Sequence, residues 1–169
     1  GNGDGHGPAE VAPLTLRRDG GETHPMTKPR NSEVNMATAR LMRFQEIPDV
    51  DRGEGITSRP LVGESIGAKV FSSGVTTFPP GAAIELHTHN CDEQVTLIEG
   101  NGTVEMDGKL SPVKAFDTSF VPAGIPHRFI NSGKGIMRIL WIYASIHVTR
   151  TFVATGKTVQ QLSADDLAH

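Results

Sequence analysis

The chain has one cysteine, no long apolar run and no cluster of basic residues. Each absence removes a class of protein. The lone Cys91 excludes an internal disulfide and favours a reducing, cytoplasmic compartment. No stretch approaches the roughly 20 apolar residues that cross a bilayer as a helix, so a membrane partner is not expected. The residues after Gly1 lack the apolar core of a secretory signal. Lys and Arg number 16 against 19 Asp and Glu, with no basic stripe, so nucleic acid is not an expected partner either. Aromatic residues are also scarce, and Phe120, Phe129, Trp141 and Tyr143 are most simply core or interface.

A chain of 169 residues suits one domain that can bury a core without cross-links. Residues 1–38 differ from the rest. They are rich in Gly and show neither helical nor strand period, which predicts a flexible arm or a segment packed on a partner subunit. From residue 39 to 155 the pattern is β. Segments rich in Val, Ile, Thr and Phe alternate with turn signals. They predict strands at 40–45, 58–61, 68–77, 83–89, 94–98, 102–106, 109–112, 118–121, 127–131, 136–144 and 150–153. Pro60 restricts the second of these to an edge strand or none. Asp107-Gly108 marks a hairpin, because a type I′ turn needs positive φ at both central residues. The strand at 136–144 is apolar on both faces, which predicts cover by a second copy in a homodimer or by the arm, with cover by the chain's own C-terminal helix the simpler reading. Over 156–169 a short C-terminal helix is expected, capped by Ser163 with Asp165 and Asp166 in its first turn. The spacing as a whole argues for an all-β barrel or sandwich.

The chemistry lies in two segments. On a strand, side chains two apart share a face, so His87 and His89 point the same way. A turn then reverses the chain and Glu93 opens the next strand. Val95 and Leu97 follow Glu93 at period two, which puts its carboxylate on the apolar face. Two imidazoles and a carboxylate there suit Fe, Mn, Ni, Co, Cu or Zn better than Ca or Mg. Further on, His127 shares a face with Phe129 and Asn131, and an antiparallel neighbour can bring it to the first cluster. A single inward His is more often a satisfied core residue than a ligand. Three with a Glu differ, since a buried Glu93 without metal is costly or takes up a proton.

Other side chains are weaker candidates. Glu85, two before His87, is a candidate catalytic base or orienting group, though a solvated rim carboxylate is the commoner case. Cys91 lies in the turn between His89 and Glu93 and reads as a bystander. His147 reads as a surface histidine. Arg59, Arg128 and Arg138 could hold a substrate carboxylate, with solvated surface positions the simpler reading.

These residues resemble the cupin superfamily. Its first motif is Gly-x5-His-x-His-x3-Glu-x6-Gly, and Gly81, His87, His89, Glu93 and Gly100 match every fixed position. Its second is Gly-x5-Pro-x-Gly-x2-His-x3-Asn, matched by Pro122, Gly124, His127 and Asn131. Phe116 stands where the family has the first Gly, a turn residue and not a ligand. The resemblance implies a double-stranded β-helix (jelly-roll) barrel with one divalent transition metal (Fe, Mn, Ni or Zn) on His87, His89, Glu93 and His127. Four protein ligands leave one or two positions open, the mark of a catalytic site. Three imidazoles and one carboxylate leave a divalent ion with net charge +1, which favours an anionic chelating ligand. Cupins with this ligand set include dioxygenases, decarboxylases, lyases and isomerases, and the fold does not choose among them. The first expectation is a metal-dependent, dioxygenase-like enzyme for a small organic acid or sugar-derived carbonyl compound. The alternatives are a non-catalytic ligand-binding or sensor cupin and a metal-free structural barrel. A cavity filled by apolar side chains would favour the last.

Overall fold

A computed structural model describes residues 38–168. The arm expected over 1–38 lies, apart from Thr38, outside the described residues. Among the described residues, twelve short strands form two six-stranded antiparallel sheets. In chain order they are β1 (Val50–Asp51), β2 (Thr57–Val62), β3 (Ser72–Phe78), β4 (His87–His89), β5 (Glu93–Glu99) and β6 (Asn101–Met106), then β7 (Lys109–Lys114), β8 (Thr118–Val121), β9 (His127–Ile130), β10 (Met137–Tyr143), β11 (Thr149–Phe152) and β12 (Thr158–Gln160). The first sheet runs β1-β2-β3-β10-β5-β8 and the second β12-β11-β4-β9-β6-β7. This is the double-stranded β-helix expected from the sequence. No helix among the described residues is long and apolar enough to cross a membrane.

Alternation builds the core. Met137, Ile139, Trp141 and Tyr143 of β10 are buried, and the residues between them are half-buried on the outer face. Val95 and Leu97 of β5 join them from the same sheet; Val104 and Phe129 meet them from the other. The β6–β7 hairpin turns at Asp107 (φ 48°) and Gly108 (φ 74°), as the type I′ signal requires. Between β5 and β6, Gly100 has φ +82°, and a Cβ there would lie 2.4 Å from the Ile136 carbonyl oxygen, so only glycine fits.

Pro60 sits within β2 where it does little harm. Strand β1 pairs only with Ser58 and Thr57, and the β2–β3 register slips between Pro60 and Val62. The missing N–H therefore falls beyond the reach of β1, beside a bulge.

Four local expectations are corrected. Residues 40–45 are not a strand: they end in a 3-10 turn, Phe44–Glu46, with Leu41 80 % exposed. Phe44 instead lies under the Arg59 guanidinium, 4.7 Å from its carbon to the ring centre. The expected strand at 68–77 begins only at Ser72, because Val70 and Phe71 are exposed and have no partner strand to cover them. The expected strand at 83–89 forms only at His87–His89. Ile84 and His87, three apart, are both buried, so the period of two is broken between them. The expected C-terminal helix is not seen: β12 and a series of turns occupy 158–168. Leu162 has φ 61°, which a right-handed helix cannot include. The Asp166 carboxylate faces inward to Arg52, Arg150 and the Leu162 N–H rather than outward along a helix.

Candidate metal centre

The site joins the two sheets. His87 and His89 come from β4 and His127 from its neighbour β9, where His87 and His127 are direct cross-strand partners. Glu93 enters from β5 of the opposite sheet, paired with Tyr143. All four side chains are buried. One ring nitrogen from each of the three imidazoles lies within 4.8 Å of the others.

Each ring is fixed by its far nitrogen. Nδ1 of His87 is 2.6 Å from the Glu85 carbonyl oxygen, that of His89 is 2.9 Å from Thr149 O, and that of His127 is 2.9 Å from Ile125 O. Carbonyl oxygens only accept, so each Nδ1 carries a proton and donates it. Nε2 is then left with a lone pair aimed inward, the tautomer a metal needs.

The Glu93 Oε2 atom lies 2.8 Å from His127 Nε2 and 3.9 Å from His89 Nε2. Neither Glu93 Oε2 nor His127 Nε2 makes a hydrogen bond, although both are buried. Two acceptors face each other at contact distance, and something positive must lie between them: a proton on His127 or a metal ion. The donor set fits a divalent transition metal on this count as well as by ligand type.

Electrostatics prepares the rings. Burial, with the charge of Arg150 and the neighbouring imidazoles, holds His87 well below its usual range. Burial likewise lowers His89 to about 4, against the opposing pull of Glu93. Both rings are neutral at pH 7, so metal need not displace protons from them. Burial pushes the Glu93 carboxyl up, but the close His127 and His89 rings outweigh it and hold the carboxyl below its usual range, so Glu93 stays an anion.

The structure gathers the four residues named from the motifs and leaves the others aside. Glu85 sits outside β4 and serves His87 through its carbonyl oxygen; Ile84, not Glu85, walls the interior. Cys91 packs against the core edge, and burial raises its thiol, keeping it protonated. His147 is exposed. Arg59, Arg128 and Arg138 pair on the surface with Asp49, Glu105 and Glu99.

Sequence reasoning missed three polar residues at the site. Tyr143 donates its hydroxyl to His89 Nε2 (3.1 Å) and accepts from Gln161 Nε2 (3.0 Å). Arg150 walls the same space. Its signal was present: Val148, Arg150 and Phe152 alternate, which puts Arg150 on the buried face. Beside the centre lies a cavity of about 20 Å³, room for one water-sized group. His87, Glu93, Tyr143, Arg150 and Gln161 form its polar side, and Phe78, Phe129 and Trp141 close the other.

The chain belongs to the cupin family. Residues 74–143 match the cupin domain. An uncharacterised protein of Methanocaldococcus jannaschii is 33 % identical over 109 residues, covering 62 % of this chain and 87 % of that protein. The polyketide synthase CurC of Streptomyces cyaneus is 30 % identical over 104 residues, covering 60 % and 67 %. Among solved structures, the polyketide cyclase RemF of Streptomyces resistomycificus superposes with a TM-score of 0.60 at 17 % identity, covering 76 % and 89 %. That likeness shows the shared fold.

Proposed function

We propose that the chain is a metal-dependent cupin enzyme. It binds one divalent transition metal (Fe, Mn, Ni or Zn) on His87, His89, Glu93 and His127 and acts on a small chelating organic acid or carbonyl compound. The facing lone pairs of Glu93 and His127, beside two imidazoles held neutral and pointing inward, carry this reading. When bound, the metal supplies Lewis acidity and an open position for a chelating oxygen or for O₂.

The protein's own groups do the rest. The Glu85, Thr149 and Ile125 carbonyls hold the rings in register. Tyr143, oriented by Gln161, offers a hydroxyl at the cavity wall. Phe78, Phe129 and Trp141 exclude water, which strengthens every charge interaction inside. Oxidative, dioxygenase-like chemistry would be the first choice were the ion Fe(II), and a lyase, decarboxylase or isomerase reaction of a small acid or carbonyl compound the next. The name of the 30 % identical relative, the polyketide synthase CurC, supports a carbonyl-bearing substrate. Cytoplasmic location and a homodimer complete the reading. The half-buried Leu140 and Ile142 on the outer face of β10, with exposed Phe120 of β8 in the same cross-strand row beyond Gln94 of β5, support a second copy as cover.

The small cavity favours one other reading, a metal-free barrel whose polar cluster is structural. Elemental analysis of untagged protein purified without chelator separates the two. Near-stoichiometric metal in the wild type, lost in His127→Ala, is the expected result. No metal in either protein after reconstitution would sink the enzyme reading.

A further inference from the structure

The cavity wall holds a cation that its surroundings do not satisfy. Arg150 is 3 % exposed. Its Nη1 donates to Asp166, but its Nε–H is buried without an acceptor. Arg52, also buried, shares the same Asp166 carboxylate. Arg52 does not wall the cavity; Arg150 does, and on β11 it lies directly across from His89. Its charge reaches His87, His89 and Tyr143.

Charge balance gives the vacant donor a meaning. A divalent metal with Arg150 and Arg52 brings four positive charges into the interior, against two negative ones on Glu93 and Asp166. Buried charge of one sign is costly unless paired. The loaded site is therefore short of an anion, and of the two buried arginines Arg150, whose Nε–H has no partner, is the one that walls the cavity.

We infer that Arg150 is the anion-binding residue of the cavity, holding a small carboxylate between its Nε–H and the metal centre. This rests on the metal reading above and narrows it to a ligand class: a compact carboxylate in preference to a neutral carbonyl compound. The cavity volume of about 20 Å³ sets the same limit, admitting a carboxylate head and little more without movement of the walls. Asp166 acts as a positioning residue. By holding Nη1 it leaves Nε as the free donor.

The test uses cobalt(II)-loaded protein, titrated with acetate and with its neutral isostere acetamide, read from the visible cobalt absorption. Cobalt content is measured in parallel for wild type, Arg150→Gln and Arg150→Lys. The lysine keeps a cation for Asp166 and so maintains the fold if the glutamine does not. The expected result is acetate binding in the wild type that weakens about tenfold or more in both variants, as for a lost hydrogen bond to a charged group. Cobalt content and acetamide binding stay unchanged. Full cobalt with acetate affinity unchanged in the variants would make Arg150 a structural ion-pair partner and overturn the inference alone. Full cobalt with no acetate binding in the wild type would do the same. A wild type that takes up no cobalt removes the metal reading and this one with it.

Discussion

Phe116 sits in the left-handed region at φ 75° and is 81 % exposed. Its N–H still bonds Leu97 O across the turn, so the ladder holds the backbone in place against the strain of its own Cβ. A left-handed residue costs about 1–2 kcal/mol unless it is glycine, and little burial would be lost with the ring. Phe116→Gly is expected to raise stability by about 0.5–1 kcal/mol once the extra freedom of the unfolded glycine is subtracted. A shift of the urea midpoint to higher concentration, with unchanged slope, checks it. A fall would mean that the ring is covered in solution. At this scale the sequence was legible where a motif and a two-residue period agreed, as at His87, His89, Glu93 and His127. The same period failed for Glu85, because the chain leaves the strand before His87 and swings Ile84 inward. For Arg150 the period held, yet an arginine between Val148 and Phe152 runs against the usual exposure of charged residues.

The closing segment, residues 158–168, shows how an element can be misread from local signals. Ser163 and two following aspartates form a good helix start, but Asp166 makes contacts that a surface helix could not. It is fully buried, paired with Arg52 and Arg150, and bonded to the Leu162 N–H. Its carbonyl oxygen accepts from Arg52 Nε (2.6 Å), and Ala168 N donates to Arg52 O (2.6 Å). Long-range partners of this kind are invisible to a window of neighbouring residues. Burial and the nearby Arg150 charge lower the Arg52 guanidinium to about 10, so it remains a cation at neutral pH. Asp166→Ala would leave two buried cations without their counter-ion, and it should cost about 3–5 kcal/mol. Because Gln161 belongs to the same segment and holds Tyr143, near-ultraviolet circular dichroism should change along with the lost stability. A cost below about 1 kcal/mol would mean the segment is only loosely docked.

Across the whole molecule, strand alternation and turn chemistry made the jelly roll readable, while pairing between the sheets decided what the site contains. Glu93 meets the histidines only because β5 and β4 lie in opposite sheets that close on one interior. That closure fixes a pH dependence for the metal-free protein. Folded His89 titrates at about 4 and His87 well below its usual range, both chiefly through burial, whereas unfolded histidine titrates near 6.5. Between these values the unfolded chain binds more protons than the folded one, so stability falls as pH falls. It should be flat above roughly pH 7 and decline from about 6.5 towards 4, by on the order of 3 kcal/mol for His89 alone. Glu93, held below its usual range, adds to the loss once pH drops under about 4.5. Metal bound to neutral imidazoles should deepen the dependence, because it stabilises the folded state at neutral pH and is released as the rings protonate. Urea titrations at half-unit pH steps, with and without zinc, test both parts. A metal-free curve that is flat from pH 7 to 5 would show that water reaches the rings. Curves that coincide with and without zinc would show that the four residues are not a metal site.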